Sequence, residues 1–184
     1  MVELPKNHGI YFFLIFLLLS LASQLPLARP SKELKPCKHI VLHMHQVIFN
    51  GSNSANTTGA AVTSPVGLGH FAFGQVFIFD NPMTKDQNLL SPPAARAQGF
   101  YFYHMKTVPS AWMAFTLVFN STEHKGTINV MGSNFIPAKT RYLSVVGGTG
   151  DFFMTRGILE IEEDGVVPFV YFRLKMDIKL YECY

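Results

Sequence analysis

The sequence predicts an all-β fold in a single domain, built either as an antiparallel sandwich or as a closed barrel. The chain has 184 residues, of which 48% are hydrophobic and 15% are charged, so it can bury one sizeable core. Its 17 Phe, 7 Tyr, 14 Gly and 11 Pro favour short strands joined by turns over a helical bundle. No stretch keeps a helical period over three turns. Residues 89–97 could form a short helix, but Pro92 and Pro93 argue against it.

The N-terminus has the pattern of a secretory signal peptide. An apolar run at 10–20 is short for a bilayer span of roughly 20 residues, and small residues that suit a cleavage site near 22–28 follow it. The sequence therefore predicts a signal peptide at 1–28 and a secreted domain at 29–184 that has no membrane contact after cleavage. An uncleaved membrane anchor is the alternative. The formal charge of +3 comes from scattered basic residues, which gives nucleic-acid binding little support.

The first predicted strand spans 39–49 and is rich in β-branched and aromatic side chains. Alternation gives it two largely apolar faces, which indicates that both are covered, as in a barrel wall that carries a partner subunit. One face consists of Ile40, Leu42, Met44, Gln46 and Ile48, and the other of Val41, His43, His45, Val47 and Phe49. Gln46 places an amide among apolar neighbours, where burial is costly unless the amide is hydrogen-bonded.

Eight further strands are predicted, at 59–62, 73–80, 97–104, 111–119, 126–131, 140–146, 152–162 and 169–182. Turn signals separate them, namely Asp80-Asn-Pro, Ser91-Pro-Pro, Val108-Pro-Ser, His124-Lys-Gly, Gly147-Gly-Thr-Gly and Asp164-Gly. Many strands at this spacing, with hairpin-length turns, are typical of an antiparallel sandwich or a closed barrel. The carboxylates at 160–164 are interpreted as a solvated strand end.

Covalent features follow from the predicted secretion. Cys37 and Cys183 are the two cysteines of the chain, and in an oxidising compartment they predict one disulfide that ties the chain ends together. Two free buried thiols are the alternative. Asn50, Asn56 and Asn120 begin N-glycosylation sequons, and Asn56, which lies in a polar stretch, is the best candidate.

Motifs for enzymatic chemistry are scarce, and no catalytic residue is assigned. The Gly147-Gly-Thr-Gly segment lacks the GK[ST] ending of a phosphate-binding loop, so it is interpreted as a hairpin turn. His43 and His45 point the same way on one strand, which is compatible with a pair of metal ligands. A third ligand with matching spacing is missing, and His45 can equally hydrogen-bond across strands, so no metal site is predicted.

Aromatic and polar residues embedded in the strands suggest an apolar pocket for a ligand. Tyr101 alternates with phenylalanines, and Phe172 shares a strand face with Leu174. Arg141 opens a strand, where its planar guanidinium can bind an oxygen-rich ligand. A plain packed core fits the composition equally well.

Seven stretches of the sequence occur in a characteristic order. They are PCKHIVL (36–42), HQVIFNG (45–51), FDNPMT (79–84), RAQGFY (96–101), FNST (119–122), VGGTGDFFMTRG (146–157) and YFRL with YECY (171–174, 181–184). In their order and spacing they resemble the plant dirigent proteins, across nearly the whole of 37–184. The cysteines match the subgroup with paired terminal cysteines.

The resemblance implies an eight-stranded antiparallel β-barrel, similar to allene oxide cyclase, that assembles as a homotrimer in the plant apoplast. It implies no cofactor and no oxidase activity, because a separate laccase or peroxidase makes phenoxy radicals from monolignols such as coniferyl alcohol. The barrel would orient these radicals, or the quinone methide that they form, so that coupling in lignan biosynthesis is stereoselective. The alternatives are a dirigent-like dehydratase or cyclase of isoflavonoid-type alcohols and a non-catalytic cell-wall defence protein.

Five positions match the ligand pocket of the family, and two of them depart from its usual residues. Tyr101, Arg141 and Phe172 match. The usual His-Asp of the first strand is His45-Gln46 here, and the usual Gly-x-Asp-Pro is Gly132-Ser-Asn-Phe, with Asn134 at the acidic position. The two family aspartates are the proposed acids that protonate the quinone methide. Gln46 and Asn134 can hydrogen-bond to a ligand but cannot donate a proton as an acid.

Overall fold

The computed structural model describes residues 34–64, 67 and 72–184, and the predicted signal peptide at 1–28 lies outside them. The described chain forms nine strands: β1 (Lys38–Val47), β2 (Gly59–Ala61), β3 (Val76–Thr84), β4 (Ala95–Tyr103), β5 (Ser110–Asn120), β6 (Lys125–Phe135), β7 (Thr140–Gly150), β8 (Arg156–Val167) and β9 (Tyr171–Glu182). No helix in this part of the chain is long and apolar enough to cross a membrane.

Eight of these strands close into an antiparallel barrel. Neighbouring strands follow the order β1-β9-β8-β7-β6-β5-β4-β3, and β3 pairs with β1 to complete the ring. The short strand β2 lies beside β3, outside this ring of eight. The eight-stranded antiparallel barrel implied by the family resemblance is therefore confirmed, and of the two architectures predicted from the residues the closed barrel is the correct one.

The contact between β1 and β3, here called the closing seam, is short. Only His43↔Thr84 and Met44↔Met83 are paired in register. Further along the two strands, side chains replace the backbone ladder: Asn81 Nδ2 donates to Gln46 Oε1 at 2.9 Å, and Thr58 Oγ1 donates to Asn81 Oδ1 at 2.7 Å. The barrel is therefore completed by hydrogen-bonded side chains where its strands diverge.

Alternation along the strands fills the barrel interior. Leu42, Met44 and Gln46 of β1 are buried, as expected for one face of this strand. Large side chains fill the end of the barrel that contains the start of β1, where the rings of Phe119 and Phe152 lie 4.8 Å apart between centroids. This end is densely packed, as is usual for protein interiors.

His45 lies on the other face of β1 and is nevertheless fully buried. Its Nδ1 lies 2.7 Å from the hydroxyl of Tyr171, and its Nε2 lies 2.7 Å from Oγ1 of Thr84. Burial, assisted by the positive charge of Arg173, lowers the pKa of His45 and favours the neutral ring. The cross-strand hydrogen-bonding interpretation of His45 is thus confirmed. Within the described residues, no group of three or more His, Cys, Asp or Glu side chains is placed to hold a metal ion.

Two predicted turns are wrong, because the strands continue through them. β3 runs through Asp80-Asn-Pro to Thr84. Asp80 N donates to Thr58 O, so this side of β3 faces β2 and β1. Alternation points the nitrogen of Pro82 to the same side. Pro82 lies between the residues of β3 that pair with β2 and those that pair with β1. A missing N–H costs no ladder bond there.

The other misassigned turn is Asp164-Gly, which lies inside β8 at a break in register between Glu163 and Gly165. The side chain of Asp164 is mostly buried. Its Oδ2 accepts a hydrogen bond from Arg173 Nε at 2.8 Å and lies 2.8 Å from His43 Nδ1. The interpretation of 160–164 as a solvated strand end is therefore wrong for Asp164. The register break is a β-bulge, which accommodates one extra residue in β8 without ending the strand.

The Gly147-Gly-Thr-Gly segment belongs to the end of β7, and the hairpin turn follows it at 151–154. The glycines are needed because two strands and the turn approach closely. A Cβ at Gly148 would lie 2.3 Å from Phe152 O, and Gly150 has φ +62°. The expected hairpin exists, but it is displaced by four residues from its glycines.

The predicted disulfide between Cys37 and Cys183 is confirmed, with a sequence separation of 146. It joins the residue before β1 to the residue after β9. These two strands are neighbours in the barrel, and Cys37 N also donates to Leu180 O at 2.8 Å. The bond therefore closes almost the whole domain into one covalent loop.

Replacing both cysteines by alanine should lower the free energy of unfolding by about 5 kcal/mol, because the bridge closes a very long loop in the unfolded chain. Denaturant unfolding of the secreted protein and of the Cys37→Ala, Cys183→Ala variant measures this loss. Two alkylatable thiols in the native protein, or an unchanged unfolding midpoint, would contradict the prediction.

Candidate functional site

A cavity of about 190 Å³ opens at one end of the barrel. Strand directions place it at the end opposite the disulfide, since it is lined by the ends of β4, β6 and β8 and the starts of β5, β7 and β9. Its lining residues are Tyr101, Tyr103, Ala111, Met113, Asn134, Ile136, Arg141, Glu163, Val166, Phe172 and Leu174. Most of them are apolar or aromatic, which is typical of small-molecule sites.

One wall of the cavity is aromatic. Tyr101 stacks on Phe77 with 4.9 Å between ring centroids, and it meets Tyr103 edge-on at 6.0 Å. Burial raises the pKa of both tyrosine hydroxyls above the ordinary value. The two hydroxyls therefore stay protonated at physiological pH and can donate hydrogen bonds to a ligand.

Polar side chains enter the cavity from two neighbouring strands. Asn134 of β6 is 7% exposed and Arg141 of β7 is 6% exposed. Asn134 Oδ1 and Arg141 Nε have no hydrogen-bond partner among the described residues. Unpaired buried polar atoms are costly, so a cavity that gathers an acceptor and a donor is suited to a ligand with oxygen groups that satisfy both.

Arg141 keeps its charge in this setting. Burial lowers the pKa of the guanidinium, and the nearby carboxylate of Glu163 acts in the opposite direction. Arginine has an ordinary pKa far above neutrality, so the side chain stays cationic at physiological pH. The cavity can therefore present a fixed positive charge to a phenolic or carbonyl oxygen.

Glu163 is a lining residue that the sequence analysis did not identify. Leu159 and Ile161 of β8 are fully buried in the barrel, and Glu163 is the next residue on the same face. Alternation of buried and exposed residues along β8 would have predicted that Glu163 points inward. The acidic run around it hid this signal, because it suggested a solvated strand end.

Gln46 is the one predicted pocket residue that does not line the cavity. It is fully buried, and its side chain belongs to the closing seam through Asn81. Gly59 leaves the space that it occupies, since a Cβ there would lie 2.5 Å from Gln46 Nε2. The Gln46 amide also acts on Tyr101. It lowers the pKa of the Tyr101 hydroxyl, but burial raises that pKa by more.

The structure thus brings four of the five predicted pocket residues to a single cavity: Tyr101, Asn134, Arg141 and Phe172. The glycosylation candidates Asn50, Asn56 and Asn120 all lie on the surface and are exposed. Their occupancy stays a prediction. Ser52 of the first sequon donates through its hydroxyl to Asn50 Oδ1 at 3.0 Å.

Comparisons with known proteins agree with this architecture. A family model described as dirigent-like protein matches residues 37–181. Dirigent protein 5 of Arabidopsis thaliana is 57% identical over 175 residues, which cover 94% of this chain and 96% of that protein. A dirigent protein of Sinopodophyllum hexandrum is 46% identical over 185 residues, which cover 95% of this chain and 96% of that protein.

Solved structures share the fold at lower identity. The structure of a pterocarpan synthase dirigent protein superposes with a TM-score of 0.71 at 23% identity, covering 80% of this chain and 90% of that chain. This likeness concerns the fold alone. The family match over almost the whole barrel and the identity to curated relatives go further, and from them we conclude that the chain belongs to the dirigent family.

Proposed function

We propose that this protein is a secreted plant dirigent protein that binds monolignol-derived phenoxy radicals, or the quinone methides that they form, and makes their coupling stereoselective. A separate laccase or peroxidase generates the radicals, and the barrel orients them. The observation that carries this proposal is the cavity, in which an aromatic wall faces two buried polar atoms without partners, Asn134 Oδ1 and Arg141 Nε. A planar phenol with oxygen substituents complements both features.

The size of the cavity supports the binding of one phenylpropanoid unit. Its volume of about 190 Å³ is below the roughly 300–1,000 Å³ of sites for drug-sized ligands. One radical would lie against Tyr101 and Tyr103 with an oxygen near Arg141, and its uncovered face would meet the second radical at the mouth. Holding one partner in a single orientation selects the face of attack without electron transfer by the protein.

The supply of protons distinguishes this chain from lignan-forming relatives with aspartates at the two departing positions. Asn134 lies in the cavity, whereas Gln46 is engaged in the closing seam. Neither amide can protonate a quinone methide. We therefore propose that the barrel orients coupling while the subsequent ring closure receives little acid assistance. The likeness to pterocarpan synthase, at 23% identity, does not favour the dehydratase or cyclase alternative.

Oxidation of coniferyl alcohol by a one-electron oxidant, with and without the purified protein, tests the proposed function. We expect the protein to shift the ratio of dimeric products from that of the oxidant alone, with little enantiomeric excess of pinoresinol. Chiral chromatography measures both quantities. Identical product distributions in the two reactions would contradict the proposal, and so would consumption of coniferyl alcohol without the oxidant.

The Asn134→Asp variant should raise the enantiomeric excess of pinoresinol, alone and in combination with Gln46→Asp. The new carboxyl group would lie at a position that is 7% exposed, where burial favours the protonated form. General acids typically contribute about 10²–10⁴-fold in rate, so an assisted ring closure is detectable above the uncatalysed one. Because Gln46 does not line the cavity, Gln46→Asp alone should have the smaller effect.

Asn88→Asp is the matched control for this prediction, since it makes the same amide-to-carboxyl change at an exposed residue that lies outside both the cavity lining and strands β3–β6. It should leave the product chirality unchanged. A wild-type protein that already gives one pinoresinol enantiomer in high excess would show that the acid argument is wrong.

We also propose that the protein assembles as a homotrimer through the outer face of β3–β6. Apolar side chains adjoin one another there, with the exposed Ile78 opposite the exposed Phe100 and the exposed Trp112 opposite the half-buried Phe102. The outer face of β8 and β9 carries several ion pairs, including Lys179 with Glu160, and that of β3 and β4 carries Arg96 with Asp80. A contiguous exposed apolar face next to a charged one indicates which side is covered by a subunit.

The Phe100→Glu variant should dissociate the assembly, because it places a charge in the apolar face. Val41→Glu is the control, since Val41 is exposed to a similar degree, 38% against 43% for Phe100, on the outer face of β1. Light scattering on deglycosylated protein should give the trimer mass for the wild type and the control. A monomeric wild type at micromolar concentration would contradict the prediction.

A further inference from the structure

We propose that Glu163 is a specificity residue that excludes carboxylate-bearing ligands from the cavity, so that the protein accepts phenylpropanoid alcohols and rejects the corresponding acids. This inference rests on the proposed function and adds the charge state of the substrate to it. It depends on the position of Glu163, on its relation to Arg141, and on the absence of other charged groups from the lining.

The fold directs Glu163 towards the cavity. It follows Leu159 and Ile161 on the inward face of β8, and Arg141 is paired with Ile161 on the neighbouring strand. Glu163 is therefore the diagonal neighbour of Arg141, a relation that places Cα atoms roughly 7–8 Å apart. Both residues also line the adjacent surface depression at Ile136–Lys139, so the pair lies at the mouth of the cavity, where Glu163 is exposed to solvent and Lys139 and Glu162 line the depression beside it.

Arg141 and Glu163 are the two charged residues among those that line the cavity. They influence each other electrostatically, yet they form no direct salt bridge within the described residues. A ligand oxygen can therefore bind to the guanidinium while the carboxylate stays beside it. In this arrangement Arg141 attracts a ligand oxygen, and Glu163 repels those ligands that carry a negative charge.

An arginine alone would favour an acid over an alcohol, because guanidinium binds carboxylate with two parallel hydrogen bonds. Glu163 removes this preference. A ligand carboxylate at Arg141 would lie close to a second carboxylate, and repulsion between the two disfavours binding by about three- to tenfold in a partly solvated site. A neutral alcohol has no such cost, and its hydroxyl can donate a hydrogen bond to Glu163.

The test compares two ligands that differ only in this group, coniferyl alcohol and 4-hydroxy-3-methoxycinnamic acid. Titration calorimetry at neutral pH and low salt gives the dissociation constant of each for the wild type and for Glu163→Gln. We expect the acid to bind the variant about three- to tenfold more tightly than the wild type, while affinity for the alcohol stays equal or falls. Adding salt should weaken the wild-type discrimination, because it screens exposed charges.

Three further variants separate the local effect from other causes. Glu163→Asp retains the charge and should retain the discrimination against the acid. Glu160→Gln removes a carboxylate of the same strand that is paired with Lys179 outside the cavity, and it should bind both ligands as the wild type does. Combining Glu163→Gln with Arg141→Gln should abolish the gain in affinity for the acid. Thermal melting checks that each variant is folded.

The outcomes distinguish this inference from the proposed function. If the wild type directs coupling but Glu163→Gln discriminates between acid and alcohol as before, the role of Glu163 is overturned and the proposed function stands. The same conclusion holds if Glu160→Gln changes the ratio as much as Glu163→Gln does. If the wild type binds neither ligand and leaves the coupling unchanged, both the proposed function and the role of Glu163 are wrong.

Discussion

The sheet becomes a barrel only because β1 and β3 meet at the closing seam, and both the packed core and the cavity need this closure. A strand with an open edge exposes unpaired backbone groups, and a barrel removes both edges at once. Here only two residue pairs join the closing strands. Gln46, Asn81 and Thr58 extend the seam with side-chain hydrogen bonds, and Val47 N donates to Thr58 Oγ1 at 2.9 Å. Closure therefore explains the buried polar residues of β1, because His45 and the Oε1 of Gln46 are hydrogen-bonded where the ladder ends, although Gln46 Nε2 has no hydrogen-bond partner among the described residues.

The two ends of the closed barrel differ in how their interior is filled. At the disulfide end, large rings such as Phe119 and Phe152 occupy the inward positions. At the other end, the inward positions include the small Ala111 and the polar Asn134 and Arg141, which leave a cavity between them. A rigid barrel with one packed end and one open end holds its ligand-facing groups in place before the ligand arrives. This rigidity is what an orienting protein requires.

The cavity combines apolar walls with a small number of polar groups whose bonding is incomplete. Tyr101 and Tyr103 supply donors that burial keeps protonated, and Arg141 supplies a permanent positive charge. These groups can fix the orientation of an aromatic ligand. Such a set of side chains is suited to the orienting role that we propose for this dirigent protein.

Strand content, the disulfide and the pocket candidates Tyr101, Arg141 and Phe172 follow from the residues of the sequence, because alternation and turn residues act locally and a single cysteine pair has one partner, whereas Asn134 was identified through the family resemblance. The family resemblance supplied the closed ring of eight. The folded chain was needed to show that Gln46 belongs to the closing seam and that Glu163 lines the cavity. It was also needed to show that β3 and β8 continue through Asp80-Asn-Pro and Asp164-Gly. These features could not be predicted locally because each depends on a strand that is distant in sequence. Such a strand supplies the hydrogen-bond partner of the Gln46 amide and the His43 ring beside the bulge in β8, and none is paired with β3 at the proline nitrogen.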